Sequence, residues 1–132
     1  MIERAIEASH HAYVPYSRFH VGACVEMKDG RSIASANVEN ASYGLTICAE
    51  TNAITSLIGA GRSAISFIAV VGWSAHDPQA RVFASPCGRC RQVIAEFADE
   101  DTQLIIAYMD GHIGLRTTAA ALLPHPFRLL DE

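Results

Sequence analysis

Apolar and polar residues alternate along two stretches near the start of the chain, FHVGACVEM at 19–27 and RSIASANV at 31–38. Alternation with a period of two is typical of half-buried β-strands. The Asp-Gly pair between the two stretches favours a hairpin turn, so the pattern predicts two antiparallel neighbours. Residues 65–72 and 103–108 form two further short apolar runs, which indicate buried strands.

Helical patterns precede, separate and follow these strands. Residues 2–12 carry apolar side chains at helical spacing, and a second helix is predicted from residue 48 to the glycines at 59–61. A third helix is predicted directly after SPCGRC at 85–90, and a short one at 117–123. Strands that alternate with helices predict an α/β fold, with a single mixed β-sheet of about five strands and helices on both faces. A chain of 132 residues suits one such domain, spanning 1–132.

The composition narrows the class of partner. The formal net charge is −4 and the sequence pI about 5.8, so no nucleic-acid partner is expected. No apolar run is long enough to span a bilayer, and no membrane partner is expected either. The first residues, MIERAIEASHH, contain no apolar leader segment, and we therefore expect a cytoplasmic location.

Three of the four cysteines stand at predicted helix N-termini. Cys48 begins the second helix, and Cys87 and Cys90 lie in the first turn of the third, with Pro86 suited to its first position. The free N–H groups and the dipole of a helix N-terminus stabilise thiolates, which are the form that binds metal ions. Three thiolates from two helix ends form the ligand set of a zinc site with one open position, as catalytic zinc requires.

Glu50 follows the first of these cysteines by two residues. Zinc lowers the pKa of water, and a neighbouring carboxylate can accept and return the proton. A structural zinc site uses a fourth protein ligand and has no need of such a carboxylate. The cysteines and Glu50 together therefore favour a hydrolytic zinc centre.

Other interpretations stay open from the residues alone. A Cys-x-x-Cys pair can be a redox pair or a zinc half-site, and four cysteines could form two disulfides in a secreted protein. Cys24 lies within a predicted strand and is expected to fill a buried apolar position. The six histidines show no ligand spacing, and Trp73 is expected to pack near a strand end.

Four stretches carry a more specific signal: YVPYSRFHVGA at 13–23, NVENASYGLTICAE at 37–50, SPCGRCRQVIAEF at 85–97 and LLPHPF at 122–127. With them the chain closely resembles the cytidine deaminase family, specifically its small homotetrameric branch with three zinc cysteines. The resemblance implies zinc-dependent hydrolysis of cytidine and 2′-deoxycytidine to uridine and 2′-deoxyuridine, with release of ammonia, in pyrimidine salvage. It also implies a homotetramer whose active sites are shared between chains.

Residue by residue, the resemblance implies that Cys48, Cys87 and Cys90 hold the Zn²⁺ ion. Glu50 would carry a proton from the attacking water to ring N3 and later help ammonia to leave. The backbone N–H of Ala49 would hold the carbonyl oxygen of the base.

The resemblance also supplies substrate contacts. Asn37 and Glu39 would, by this resemblance, bind the ribose 3′-hydroxyl. Their spacing on an extended segment, which points both side chains to one face, is compatible with this role. Phe19 would pack against the base, while Phe127 and Tyr43 would reach into a neighbouring subunit's site, near the base and the ribose respectively. From the residues alone, a polar strand end and ordinary apolar packing remain the alternative interpretations.

One position departs from the family pattern. Three thiolates around a divalent cation leave one excess negative charge, and in three-cysteine members two arginines commonly donate hydrogen bonds to the ligand sulfurs. Arg91 stands at one of these positions, but the other, directly after Glu50, is Thr51. We expect Thr51 to offer only a neutral hydroxyl, so that the charge is relieved incompletely or from elsewhere.

Other functions stay open beside this one. The substrate could be another cytosine nucleoside, such as blasticidin S or a 4-substituted cytidine, although Asn37 and Glu39 favour a ribose. A zinc-stabilised binding module without catalysis is a further alternative, which Glu50 disfavours.

Overall fold

The structure is a computed structural model that describes residues 1–130. In this described part the strands are β1 (Phe19–Met27), β2 (Ser32–Ala36), β3 (Ile65–Ser74), β4 (Ala98–Ala107) and β5 (Ile113–Thr117). The helices are α1 (Ile2–Ser9), α2 (Ala49–Ala60), α3 (Gly88–Phe97) and α4 (Ala119–Leu122), and a 3-10 turn covers Tyr43–Leu45. The hairpin, the later strands and the helices predicted from the pattern are confirmed, although α1 ends sooner and β4 begins earlier than expected.

The strands form one sheet in the order β2-β1-β3-β4-β5. β1 pairs antiparallel with β2 and β3, β4 runs parallel to β3, and β5 returns antiparallel to β4. A parallel pair needs a crossover connection, and α3 provides it. The predicted single mixed sheet is therefore confirmed.

Helices cover both faces of this sheet, because successive side chains of a strand point to opposite faces. Cys24 of β1 faces α1 and packs in a small cluster with Ala5 and Val71. Its neighbours Ala23 and Val25 point the other way, into a larger cluster with α2 and α3. Cys24 is fully buried, as expected. Within residues 1–130, no helix is long and apolar enough to cross a membrane.

Gly22 allows α1 to lie directly against β1. A Cβ atom at this position would stand 1.9 Å from the backbone oxygen of Ala5 and 2.8 Å from the backbone nitrogen of Ser9. Any other residue would therefore push the helix away from the sheet. The close approach also brings the buried hydroxyl of Ser9 to Trp73, whose Nε1 donates to it at 3.0 Å near the end of β3.

The hydrophobic pattern does not identify β5. It assigns residues 117–123 to a helix, whereas Thr117 ends β5 and α4 begins only at Ala119. The hydroxyl of Thr118 caps this short helix by accepting a hydrogen bond from the backbone N–H of Ala121 at 3.1 Å. β5 is an exposed edge strand, so it lacks the apolar run by which a buried strand is identified.

Candidate metal centre and active site

Three cysteines converge where α2 and α3 begin. Cys48 directly precedes α2, Cys87 directly precedes α3, and Cys90 lies in the first turn of α3. Their sulfur atoms all lie within 4.8 Å of one another, and the Sγ atoms of Cys48 and Cys87 are 3.9 Å apart. The expectation that Pro86 takes the first helical position is wrong, because α3 begins two residues later at Gly88.

This donor set fits a zinc ion. Zinc–sulfur bonds of about 2.3 Å at tetrahedral angles place two sulfurs about 3.8 Å apart, which is close to the separation of Cys48 and Cys87. Within the described residues, the group of candidate ligands contains the three cysteines and no fourth side chain. A metal ion held here would keep one coordination position for water or a substrate.

The three thiols differ in burial. Cys87 is exposed, Cys48 is half-buried and Cys90 is buried. Hydrogen bonding between the sulfurs of Cys48 and Cys90 lowers the pKa of the Cys48 thiol. The same hydrogen bonding, together with burial, raises the pKa of the Cys90 thiol. Metal ligands must be thiolates, so binding of a metal ion here would release the thiol protons.

Glu50 lies in the first turn of α2 and is 4 % exposed. Burial raises the pKa of its carboxyl, and hydrogen bonds from its own backbone and from Cys90 oppose this only in part. A carboxyl whose pKa moves towards neutrality can both accept and return a proton at physiological pH. Glu50 therefore has the surroundings of a general acid and base beside the sulfurs.

A cavity of about 210 Å³ opens beside these groups. Its lining comprises Phe19, Val21, Asn37, Thr46, Cys48, Ala49, Glu50, Ala84, Ser85 and Cys87. Three residues expected to contact a substrate, Phe19, Asn37 and Ala49, thus line the same cavity as Cys48 and Cys87. The polar residues Thr46 and Ser85 were not predicted as site residues, although both lie inside the stretches NVENASYGLTICAE and SPCGRCRQVIAEF.

Gly72 of β3 shapes one wall of this cavity. A Cβ atom there would lie 2.7 Å from the Cβ atom of Ala84 and 3.1 Å from the ring of Phe19. The missing side chain allows Phe19 and Ala84 to pack closely over β3.

Asn37 follows β2, and its side-chain amide bridges to β1. Its Oδ1 accepts a hydrogen bond from the backbone N–H of Val21 at 2.9 Å, and its Nδ2 donates to the backbone oxygen of Phe19 at 3.0 Å. An amide can donate twice and accept twice, so this pairing leaves capacity for a ligand in the cavity.

Glu39 lines a neighbouring cavity of about 330 Å³, together with Tyr16, Ser17, Tyr43 and Thr46. Its Oε1 accepts hydrogen bonds from the backbone N–H groups of Tyr16 and Ser17, each at 3.1 Å. Burial acts to raise the pKa of this carboxyl, but the hydrogen bonds from Ser17 and Tyr16 outweigh it and lower the pKa. Because Thr46 lines both cavities, Glu39 and Asn37 face adjoining spaces rather than a single one.

Two residues were expected to donate to the ligand sulfurs. The buried Thr51 does lie beside one, with its Oγ1 3.2 Å from the Sγ of Cys90. The three guanidinium nitrogens of Arg91 donate elsewhere, to the backbone oxygens of Pro86 and Leu122 and to the hydroxyl of Ser85. Within residues 1–130, none of the Arg91 hydrogen bonds ends on a sulfur, because these three oxygens lie within its reach.

Tyr43 and Phe127 are 75 % and 68 % exposed. Neither of them is among the described residues that line the cavity beside the cysteines. The backbone of Phe127 is held by the side chain of Gln92, which was not predicted as a site residue. Gln92 directly follows Arg91 in the stretch SPCGRCRQVIAEF, and its position there is the signal that could have identified it.

A larger cavity of about 520 Å³ lies near the C-terminal ends of α2 and α3. Its charged lining residues are Arg62, Glu96, Asp99 and Arg128. It contains neither the cysteines nor Glu50, so the smaller cavity is the candidate active site on chemical grounds.

Known proteins resemble this chain in both sequence and fold. Residues 1–106 match a family model described as the cytidine and deoxycytidylate deaminase zinc-binding region. The chain is 47 % identical over 131 residues to a cytidine deaminase from Halalkalibacterium halodurans, which covers 99 % of this chain and 94 % of that protein. It is 33 % identical over 110 residues to a blasticidin-S deaminase from Bacillus cereus, covering 82 % and 76 % of the two chains. A solved cytidine deaminase from Burkholderia pseudomallei is 41 % identical, with a TM-score of 0.82 over 96 % of this chain and 95 % of the other.

Proposed function

The chain belongs to the cytidine deaminase family, and on this premise we propose that it hydrolyses cytidine and 2′-deoxycytidine to uridine and 2′-deoxyuridine with release of ammonia. The observation that carries the proposal is the convergence of three cysteine sulfurs within 4.8 Å beside the buried Glu50. A redox pair needs no third cysteine, and a binding module needs no buried acid beside the metal.

Cys48, Cys87 and Cys90 would hold the zinc ion. When bound, zinc acts as a Lewis acid that lowers the pKa of water and so supplies a nucleophile near neutral pH. The positions of the cysteines support this assignment, because helix N-termini stabilise the thiolate form that metal binding requires.

Glu50 would move the protons of the reaction. Hydrolysis replaces the amino group at C4 by a carbonyl oxygen, so one proton of water ends on ring N3 and the other on the departing ammonia. Protonation of N3 draws electrons from C4 and opens it to attack. The carboxyl of Glu50, whose pKa is raised by burial, would accept each proton and deliver it in turn.

The first turn of α2 and the cavity walls would hold the nucleoside. The backbone N–H of Ala49 has no acceptor within the helix, as at every helix start, and would donate to the base carbonyl. Phe19 would pack against the base, while Asn37 and the ionised Glu39 would bind the ribose 3′-hydroxyl. A site built around a hydroxyl discriminates strongly against analogues that lack it.

A homotetramer with shared sites is part of the proposal. It is supported by the exposure of large apolar side chains, among them Tyr43, Leu45, Phe127 and Leu129. Side chains of this kind are typical of surfaces that pack against a partner. Phe127 and Tyr43 would then enter a neighbouring subunit's cavity.

Mixing of two inactive variants tests the shared site. Phe127→Ala and Glu50→Ala chains, coexpressed so that they form hybrids, should regain activity, because some sites then combine an intact Glu50 with an intact Phe127. Hybrids that form and yet stay inactive would contradict the shared site.

A free nucleoside is the proposed partner, and pyrimidine salvage in the cytoplasm is the proposed setting. The net charge of −4 supports a small substrate over a polynucleotide.

Deamination of blasticidin S is the second candidate, and the similarity to a blasticidin-S deaminase supports it. Ammonia release should be measured from cytidine, 2′-deoxycytidine, 3′-deoxycytidine, cytosine and blasticidin S. We expect the first two to be good substrates and 3′-deoxycytidine and cytosine to be poor ones. Activity on blasticidin S alone would favour the second candidate, and no activity on any, with zinc bound, would contradict both.

A further inference from the structure

Thr51 and Thr55 lie one turn apart on α2 and use their hydroxyls differently. The Oγ1 of Thr55 donates to the backbone oxygen of Thr51 at 2.7 Å, which is the usual bond of a helical threonine to the preceding turn. The Oγ1 of Thr51 instead lies 3.2 Å from the Sγ of Cys90 on α3. The Thr51 hydroxyl therefore joins the two helices that carry the cysteines.

This contact is shielded from water. Thr51 is 8 % exposed and Cys90 is 0 % exposed. A hydrogen bond in such surroundings is stronger than one at the surface, because the local dielectric constant is low and no water competes. A thiolate can only accept a hydrogen bond, so a thiolate at Cys90 makes the Thr51 hydroxyl the donor.

We infer that Thr51 is a positioning residue of the metal centre, whose hydroxyl donates to the Cys90 thiolate, fixes its orientation and takes up part of its charge. The inference rests on the proposed zinc centre. Arg91, the other expected donor, is engaged by oxygens. Within residues 1–130, Thr51 thus carries the one hydroxyl group at hydrogen-bond distance from a ligand sulfur.

The role has a spectroscopic consequence. A hydrogen bond to a coordinated thiolate lowers the energy of the sulfur lone pairs and orients the ligand. Loss of the donor should raise the energy of these electrons and loosen Cys90. Both effects concern the metal centre and arise whether or not a substrate is present.

Cobalt(II) in place of zinc reports on this sulfur through its thiolate-to-cobalt charge-transfer absorption. Thr51→Val, which keeps the shape but removes the donor, should shift this absorption to lower energy, and Thr51→Ala should do the same if the valine variant folds poorly. Thr51→Ser should match the wild type, because its hydroxyl remains. Thr55→Val removes a hydroxyl one turn away on the same helix and should cause no shift.

Metal affinity gives a second readout. Groups that hydrogen-bond a metal ligand typically contribute about 10- to 100-fold in affinity. Competition with a chromophoric chelator should therefore show about tenfold weaker binding in Thr51→Val and unchanged binding in Thr51→Ser and Thr55→Val.

The outcomes separate this inference from the metal centre itself. Unshifted absorption in both Thr51→Val and Thr51→Ala, with cobalt bound, would overturn the role of Thr51 and leave the centre standing. An equal shift in Thr51→Ser would also overturn it, since packing would then be the cause. Absence of charge-transfer absorption in the wild type would contradict the three-cysteine centre and the inference together.

Discussion

Gln92 and Phe127 are joined by two hydrogen bonds that run in opposite directions. The Nε2 of Gln92 donates to the backbone oxygen of Phe127 at 2.9 Å, and the backbone N–H of Phe127 donates to the Oε1 of Gln92 at 3.2 Å. The side-chain amide of Gln92 thus pairs with the backbone of Phe127 through both its N–H and its oxygen, as a residue on an antiparallel neighbouring strand would. Two such bonds fix the direction of the backbone at Phe127. Arg91 adds a bond to Leu122 at 2.9 Å. The C-terminal segment is thereby fastened to α3, the helix that carries Cys90.

Replacing Gln92 with Leu should raise the KM for cytidine by about tenfold and change kcat less. The reason is that two hydrogen bonds of about 1 kcal/mol each position an aromatic ring, while the reacting groups are untouched. Steady-state kinetics measures the effect, and the exposed Gln103→Leu is the matched control. An unchanged KM in Gln92→Leu would contradict the positioning of Phe127 through this pair.

Gly22→Ala should destabilise the protein by about 3 kcal/mol, at the upper end of overpacking effects. The added Cβ atom meets backbone atoms of α1, which cannot move aside as a flexible side chain can. Gly59→Ala is the control, because Gly59 lies in α2 with no atom within 4 Å of an added Cβ. It should stabilise the helix by about 0.5–1 kcal/mol. Urea unfolding at matched zinc content measures both, and equal effects would contradict the close packing at Gly22.

The pH dependence of stability should change in Glu39→Gln. Hydrogen bonds from Ser17 and Tyr16 lower the pKa of the folded carboxyl below its ordinary value of 4.5. A lowered pKa stabilises the fold fully above the unfolded pKa, and this contribution is lost as the pH falls through the folded pKa. The variant should therefore be less stable than the wild type at pH 7, by about 1 kcal/mol or less. Thermal unfolding between pH 7 and pH 3 should show that the stability difference between wild type and variant shrinks below pH 4.5. A difference that stays constant over this range would contradict stabilisation of the fold by the ionised Glu39 carboxylate.

Much of the site was predictable because its signals are local in sequence. Cys48 and Glu50 are two residues apart, and Cys87 and Cys90 are three apart at the start of one helix. Their chemistry follows from residue type and from the helix N-terminus, whatever the rest of the fold does. The same holds for the β1–β2 hairpin, whose alternation fixes both strands.

The edge strand β5 shows what the hydrophobic pattern leaves out. Four of its five residues are exposed, so it lacks the continuous apolar run that marks a buried strand. The turn before it nevertheless carries the same Asp-Gly dipeptide as the first hairpin, and Gly30 and Gly111 both adopt positive φ, +94° and +90°. The Asp-Gly turn was therefore the feature from which β5 could have been predicted, rather than the hydrophobic pattern of the strand itself.

Contacts between distant residues could not be read from the sequence. The partner of Arg91 at Leu122 lies 31 residues away, and that of Gln92 at Phe127 lies 35 residues away. Whether Arg91 donates to a sulfur or to three nearby oxygens depends on how α4 and the loop before α3 pack against it. The position of Arg91 in the motif predicted hydrogen bonds to the sulfurs, whereas the tertiary contacts direct its hydrogen bonds to oxygens.

The most direct test of the account is ammonia release from cytidine by Glu50→Gln at a zinc content matched to the wild type. Glu96→Gln, an exposed change on α3, is the control and should behave as the wild type does. A general acid and base contributes about 10²–10⁴-fold, so we expect Glu50→Gln to keep its fold and zinc but to lose at least about 10²-fold in kcat. A Glu50→Gln variant that deaminates cytidine within a few-fold of the wild type would contradict the proton-transfer role and the active site built around it.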